Sequence, residues 1–311
     1  MSKIVHPNLI QAYAVIIVDC TAYIIMPLML YGDLSKIISF KFPKGIHNEN
    51  VLATIIKICL NAIDCLNNNN WFHRDVKASN ILLDKDGACR LGDYGVSTII
   101  KEEGKCNNTY VGSICWMAPE IALNLEYNYK IDIWSLGITA IEIANGKPPY
   151  KDLSPNQFLE EAQSVRIPEL KEDYFKFSDE FKNFVKNCLV KDPNLRPSAK
   201  DLLKNHKNFL DKAKNKEYIF ENILKGCPNL HDIFPKMLNE NEQYFIKTEN
   251  RDYNKLPSKT SAEIDEEFNV DEKMEGGTVE NNKGFLGPLQ RQMNKNKNDL
   301  KGIFDMNEEE C

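Results

Sequence analysis

The chain has 311 residues, 42% of them hydrophobic, enough for one sizeable core with appendages rather than several domains. Lys and Arg number 39 against 45 Asp and Glu, and residues 252–311 hold 8 basic and 14 acidic groups, so residues 1–251 are balanced and offer no basic face for nucleic acid. Nine cysteines with no C-x-x-C pair and no zinc-spaced Cys/His cluster exclude a disulfide framework or zinc module; free thiols in a reducing compartment, the cytoplasm, are expected.

Residues 12–31 form an apolar run long enough for a membrane span, but Asp19 interrupts it, Pro27 follows, and its β-branched content (Val15, Ile16, Ile17, Val18, Ile24, Ile25) suits strands. Two strands with a turn at 19–22 are predicted, and no span. Residues 47–70 place Val51, Leu52, Ile55, Ile56, Cys59, Leu60, Ile63 and Leu66 at helical spacing. Residues 81–83 and 88–91 read as a short hairpin turned by Asp84-Lys85-Asp86-Gly87. Residues 131–144 are apolar on nearly every face, which predicts a buried central helix ending at Asn145-Gly146. Further helices are predicted over 155–162, 179–189 and 198–204. From about residue 252 the composition turns to Glu, Asp, Lys, Asn and Gly, too poor in apolar residues to offset the entropy of ordering, and disorder is expected there.

The chemistry concentrates in His73-Arg74-Asp75-Val76-Lys77-Ala78-Ser79-Asn80, followed thirteen residues after Asn80 by Asp93-Tyr94-Gly95. Phosphoryl transfer asks mainly that the nucleophile be aligned and that developing charge be held by cations and metal. An aspartate (Asp75) to take a hydroxyl proton, a lysine (Lys77) for the γ-phosphate, and two hard oxygen ligands (Asn80, Asp93) for magnesium stand in one frame. Singly, each has a plainer reading as a turn residue, a solvated cation, a helix cap or a loop; together at this spacing they read as a protein kinase catalytic loop. Ala118-Pro119-Glu120, Asp132-Ile133-Trp134-Ser135-Leu136-Gly137 and Arg196 follow in order, with Arg196 expected to clamp Glu120 as a structural pair, the alternative being a surface ion pair.

With these motifs the chain resembles a eukaryotic protein kinase over residues 6–210. Lys77 is the serine/threonine-kinase choice. Cys115-Trp116-Met117-Ala118-Pro119-Glu120 and Gly137-Ile138-Thr139-Ala140-Ile141-Glu142 look like the sterile-20-related group, and Lys212-Ala213-Lys214-Asn215-Lys216-Glu217 like its Fray subfamily, which includes the oxidative-stress-responsive and proline-alanine-rich kinases. The resemblance implies an α+β, protein-kinase-like fold: a small-lobe remnant and hinge over 1–33, a mostly helical large lobe over 34–210, a helical extension over 211–251 and an acidic tail over 252–311.

It also implies ATP and Mg2+ as cofactors, Ser/Thr-bearing proteins as substrates and an upstream activating kinase as a partner. Met26 would be the gatekeeper, Pro27 and Met29 the hinge, and Leu82 part of the nucleotide site. Read without the family, Met26 is the end of a buried strand. Thr109 falls where the family carries an activating phosphothreonine, which Arg74 could pair, and Ser113 where it usually has threonine. No G-x-G-x-x-G or V-A-I-K occurs, so the chain is expected to be a poor kinase with its small lobe truncated, or else a non-catalytic module that docks partners.

Overall fold

A computed structural model of the chain describes residues 4–18, 21–93, 98–99 and 114–230. Thr109, Ser113, Tyr94, Gly95, residues 231–251 of the expected extension and the whole acidic tail lie outside the described residues.

β-Branched residues fill Ala14–Val18 (β1) and Thr21–Ile25 (β2), which pair antiparallel with Val18 opposite Thr21 and Ala14 opposite Ile25. The connection is shorter than the sequence suggested. Thr21 and Ala22, expected in the turn, instead join β2. Gly32–Asp33 (β3) leads directly into Leu34–Lys41 (α1), a helix the periodicity did not reveal, capped where the Asp33 carboxylate accepts the Lys36 N–H at 3.1 Å.

Glu49–Asn68 (α2) is capped by Asn48, whose side chain accepts the Asn50 and Val51 N–H groups. Leu52, Ile55, Cys59, Leu60 and Ile63 are wholly buried. Each large aliphatic side chain so placed is worth about 1.5–3 kcal/mol, which more than offsets the indifferent helix propensity of the isoleucines. Trp71–Phe72 (β4) then carries the chain into the catalytic loop. Ile81–Leu83 (β5) and Cys89–Leu91 (β6) form the predicted hairpin and, with β3 on the other side of β5, make a three-stranded antiparallel sheet. Thr98–Ile99 (β7) pairs with β4.

After Pro119–Ala122 (α3) comes Ile131–Asn145 (α4), buried through Ala144 and stopped by Gly146 in the left-handed conformation, whose N–H returns to the Glu142 carbonyl. Pro155–Gln163 (α5), Asp179–Cys188 (α6) and Ala199–Asn205 (α7) start on the serine caps Ser154, Ser178 and Ser198. Lys207–Leu210 (α8) and Lys216–Ile219 (α9), the latter continued by a π turn through Leu224, complete the order. α2 and α4 pack on each other at the centre, with α6 against α4 and α7 and α8 against α2. The described residues are mostly helical, with three short antiparallel sheets. Among the described residues no helix is long and apolar enough to cross a membrane, and the six described cysteines are free.

Candidate active site

The catalytic loop is hung from one polar stripe on an otherwise apolar helix. Asp132, Ser135, Thr139 and Glu142 recur on one face of α4 at helical spacing. The Asp132 carboxylate accepts the His73 N–H at 2.7 Å and the Arg74 N–H at 2.8 Å. The Thr139 hydroxyl donates to the Val76 carbonyl at 3.1 Å, and Glu142 Oε2 accepts the Ala78 N–H at 3.0 Å. Glu142 Oε2 also accepts Trp116 Nε1–H at 2.9 Å, while the Ser135 hydroxyl donates to the Trp116 carbonyl at 2.8 Å. One rigid helix thus registers both the catalytic loop and the segment that precedes Ala118-Pro119-Glu120. Arg74 sits at φ 72°, a conformation that costs a non-glycine residue about 1–3 kcal/mol and persists only where its surroundings impose it. The Asp132 bonds on either side of that peptide supply the constraint.

Burial acts strongly on these groups. It pushes the carboxyls of Asp132 and Glu142 up to about 7 against the opposing pull of the backbone N–H donors they accept. It pushes His73 down to about 4. The neutral ring fits its setting: Nε2–H donates to the Gly92 carbonyl at 2.9 Å and Nδ1 accepts the Asp75 N–H at 3.3 Å, so a second ring proton would face a donor.

The structure brings Asp75, Lys77 and Asn80 into contact. Lys77 Nζ lies 2.6 Å from Asp75 Oδ2, and Asn80 Nδ2 donates to Asp75 Oδ2 at 3.0 Å and to its carbonyl at 2.7 Å. Asn80 is buried, and its carbonyl accepts the Gly92 N–H at 2.8 Å, tying the loop to the residue before Asp93. Asp93 itself is exposed and at φ 54°. Leu82 lies against the same glycine, so close that a Cβ on Gly92 would stand 3.0 Å from Leu82 Cδ1.

The residues expected to form the hinge follow β2 in the chain. Met29 is buried, its carbonyl accepts the Gly32 N–H at 2.9 Å, and its sulfur receives Arg90 Nη1 at 3.5 Å. Met26 is 44% exposed, which rules out the plainer reading of a buried strand end. Glu120 and Arg196 form the expected clamp, at 2.7 and 3.0 Å through both carboxylate oxygens. Both are buried, so the surface-pair alternative does not hold. The parts of the site that sequence reasoning missed are His73 and Glu142. The signal for Glu142 was present: it is the one acid between Ile133 and Ala144 in a helix otherwise built to be buried.

A helical lobe that suspends such a loop between short strands is the architecture of a phosphoryl-transfer domain. The protein kinase domain family matches residues 1–209, and the chain belongs to the protein kinase family of enzymes. Serine/threonine-protein kinase fray2 of Dictyostelium discoideum is 39% identical over 242 residues, covering 77% of this chain and 23% of that protein. Fray1 of the same organism is 39% identical over 230 residues, covering 73% and 40%. Germinal center kinase 3 of Caenorhabditis elegans is 34% identical over 251 residues, covering 74% and 42%. The similarity agrees with the sterile-20-related, Fray-type resemblance read from the motifs. The chain spans less than half the length of these curated relatives.

Proposed function

We propose that residues 34–210 are the large lobe of a serine/threonine protein kinase, with residues 1–33 as hinge and part of the small lobe, and that its loop transfers the terminal phosphate of ATP to Ser or Thr hydroxyls of proteins. The observation that carries this reading is the contact set of Asp75, Lys77 and Asn80 held at one edge by Asp132, Thr139 and Glu142.

In this reading Asp75 orients the substrate hydroxyl and accepts its proton. Lys77, resting on Asp75 here, contacts the γ-phosphate. Asn80 spends its Nδ2 on Asp75, which leaves Oδ1 as a hard oxygen donor, and Asp93 supplies an exposed carboxylate. Two such donors are too few for a free-standing metal cage but suit Mg2+ held jointly with nucleotide phosphates. When bound, the metal neutralises charge developing on the transferred group. Backbone groups of Pro27 and Met29 would meet adenine, with Met26 and Leu82 lining its pocket. Thr109, phosphorylated by an upstream kinase, would pair with Arg74, and the Ser113 hydroxyl would reach Asp75 and Lys77. A reducing cytoplasm suits the free thiols.

The test is to fuse a sterile-20-type small lobe, which brings a glycine-rich loop and strand lysine, ahead of His6. That protein is expected to phosphorylate Ser/Thr peptides in a magnesium-dependent manner. Asp75→Asn should lower the rate by about 10²–10⁴-fold, and Thr109→Ala should lower it severalfold. A folded fusion that stays inactive despite phosphorylated Thr109 would favour the second reading, a partner-docking module.

A further inference from the structure

Away from the catalytic loop, a cavity of about 480 Å³ opens where the turn after α1 meets the C-terminal end of α4. Its floor is set by two backbones in close approach. A Cβ on Gly45 (φ +93°) would lie 1.9 Å from the Ala144 carbonyl oxygen, and one on Gly146 (φ +83°) 2.5 Å from that of Pro43. The Ile46 N–H donates to the Ile143 carbonyl at 2.8 Å. One wall is fixed by the Asn145 carboxamide, which in its satisfied orientation donates to the Lys171 carbonyl at 3.2 Å and accepts the Lys171 N–H at 3.0 Å.

Four lysines line this recess, Lys44, Lys147, Lys151 and Lys171, against one acid, Asp173. Lys147 is committed to Asp152 at 2.7 Å. Lys44 lies 4.2 Å above the Tyr174 ring, and among the described residues neither it nor Lys151 nor Lys171 has an ion-pair partner. Asp173, and Asp152 whose carboxyl is held low by Lys147, Lys151 and Lys171, offset two of these four charges, and the C-terminus of α4 offsets about half of another, so a net positive charge is left. Cations gathered on a preformed recess repel one another until an anion enters.

We propose that this recess docks a carboxylate-rich segment of a protein partner. A bilayer or a nucleic acid would call for a broad basic face, and residues 1–251 are balanced in charge. The exposed ring of Tyr174, which lines the recess, suits an apolar flank of a peptide. The inference stands apart from phosphoryl transfer, because its readout is binding.

Fluorescence anisotropy of labelled octaglutamate on the full chain is expected to show saturable binding that weakens steeply with added salt. Lys44→Gln, Lys151→Gln and Lys171→Gln combined should weaken it at least about tenfold, as loss of several charge contacts does. Lys200→Gln, Lys204→Gln and Lys207→Gln combined, on α7 and α8, should leave it unchanged. Were the first triple variant to melt early, Lys171→Glu alone carries the test and should abolish binding. The proposal is overturned by an absence of saturable binding, by equal losses in the two triple variants, or by preference for phosphatidylserine vesicles or a DNA oligonucleotide over octaglutamate.

Discussion

Arg196 uses all five of its N–H donors inside the lobe. Two go to Glu120, and the others reach the carbonyls of Val190 at 2.8 Å, Lys130 at 3.0 Å and Lys191 at 3.1 Å. A buried pair stabilises little against a well-packed apolar pair, but removing one partner strands the other's charge. Glu120→Ala should therefore cost about 3–5 kcal/mol in urea unfolding, and Arg196→Lys should fare badly too, since an ammonium cannot form the planar fork. A loss below about 1 kcal/mol, the range of exposed pairs, would show that the clamp is solvated. Glu142 makes a second residue-scale argument, through pH. Its carboxyl, ordinarily near 4.5, is pushed up to about 7 by burial, so the folded chain holds this proton more tightly than the unfolded one. The stabilising effect is full below about pH 4.5 and lost as pH rises through 7. Glu142→Gln keeps a polar partner for Ala78 and Trp116 but cannot titrate. It should flatten the stability curve between those pH values by about 3 kcal/mol, and parallel curves for the two proteins would refute the assignment.

At the scale of elements, turns matter as much as helices. Gly45 lets the segment after α1 press against α4, and any side chain there meets the Ala144 carbonyl at a positive φ. Gly45→Ala should cost several kcal/mol, more than the ~1 kcal/mol that a left-handed alanine costs by itself, and thermal melting would reveal it; a shift of only a degree or two would mean that the turn can move aside. The elements most legible in the sequence were those whose apolar period runs long. α2 and α4 lie within one or two residues of expectation, because tertiary burial rewards the stripe that the sequence displays. α1 was missed because eight residues with only Leu34, Ile37 and Ile38 buried give too short a period, and the cap at Asp33 decides it instead. β3, β4 and the short α8 exist through partners distant in sequence, which periodicity cannot report. The catalytic loop was legible from spacing, but its suspension from α4 was not, since the hydrogen bond that the Ala78 N–H donates to Glu142 crosses 64 residues.

For the molecule as a whole, the β1–β2 hairpin poses the question. Successive residues of a strand point to opposite faces, yet Val15 and Ile16 are 50% and 47% exposed, and Tyr23 and Ile24 are 55% and 43% exposed. Among the described residues neither face of the hairpin is fully covered and no third strand pairs with either edge, so its backbone can accept further strands. Apolar surface of this kind marks a site where more chain packs. In the 311-residue protein alone, copies should supply that covering for one another. Sedimentation velocity is expected to show association that grows with concentration. Ile16→Lys with Ile24→Lys places a charge on each face without disturbing any buried contact, at a cost to folding within about 0.5 kcal/mol per site, and should restore the monomer. If the proposed function holds, a sterile-20-type small lobe fused ahead of His6 should do the same by packing on the hairpin. A wild-type chain that stays monomeric at every concentration would sink this account, and so would association that the two lysines leave untouched, since either result would mean that the exposed strands are not what copies of the chain recognise.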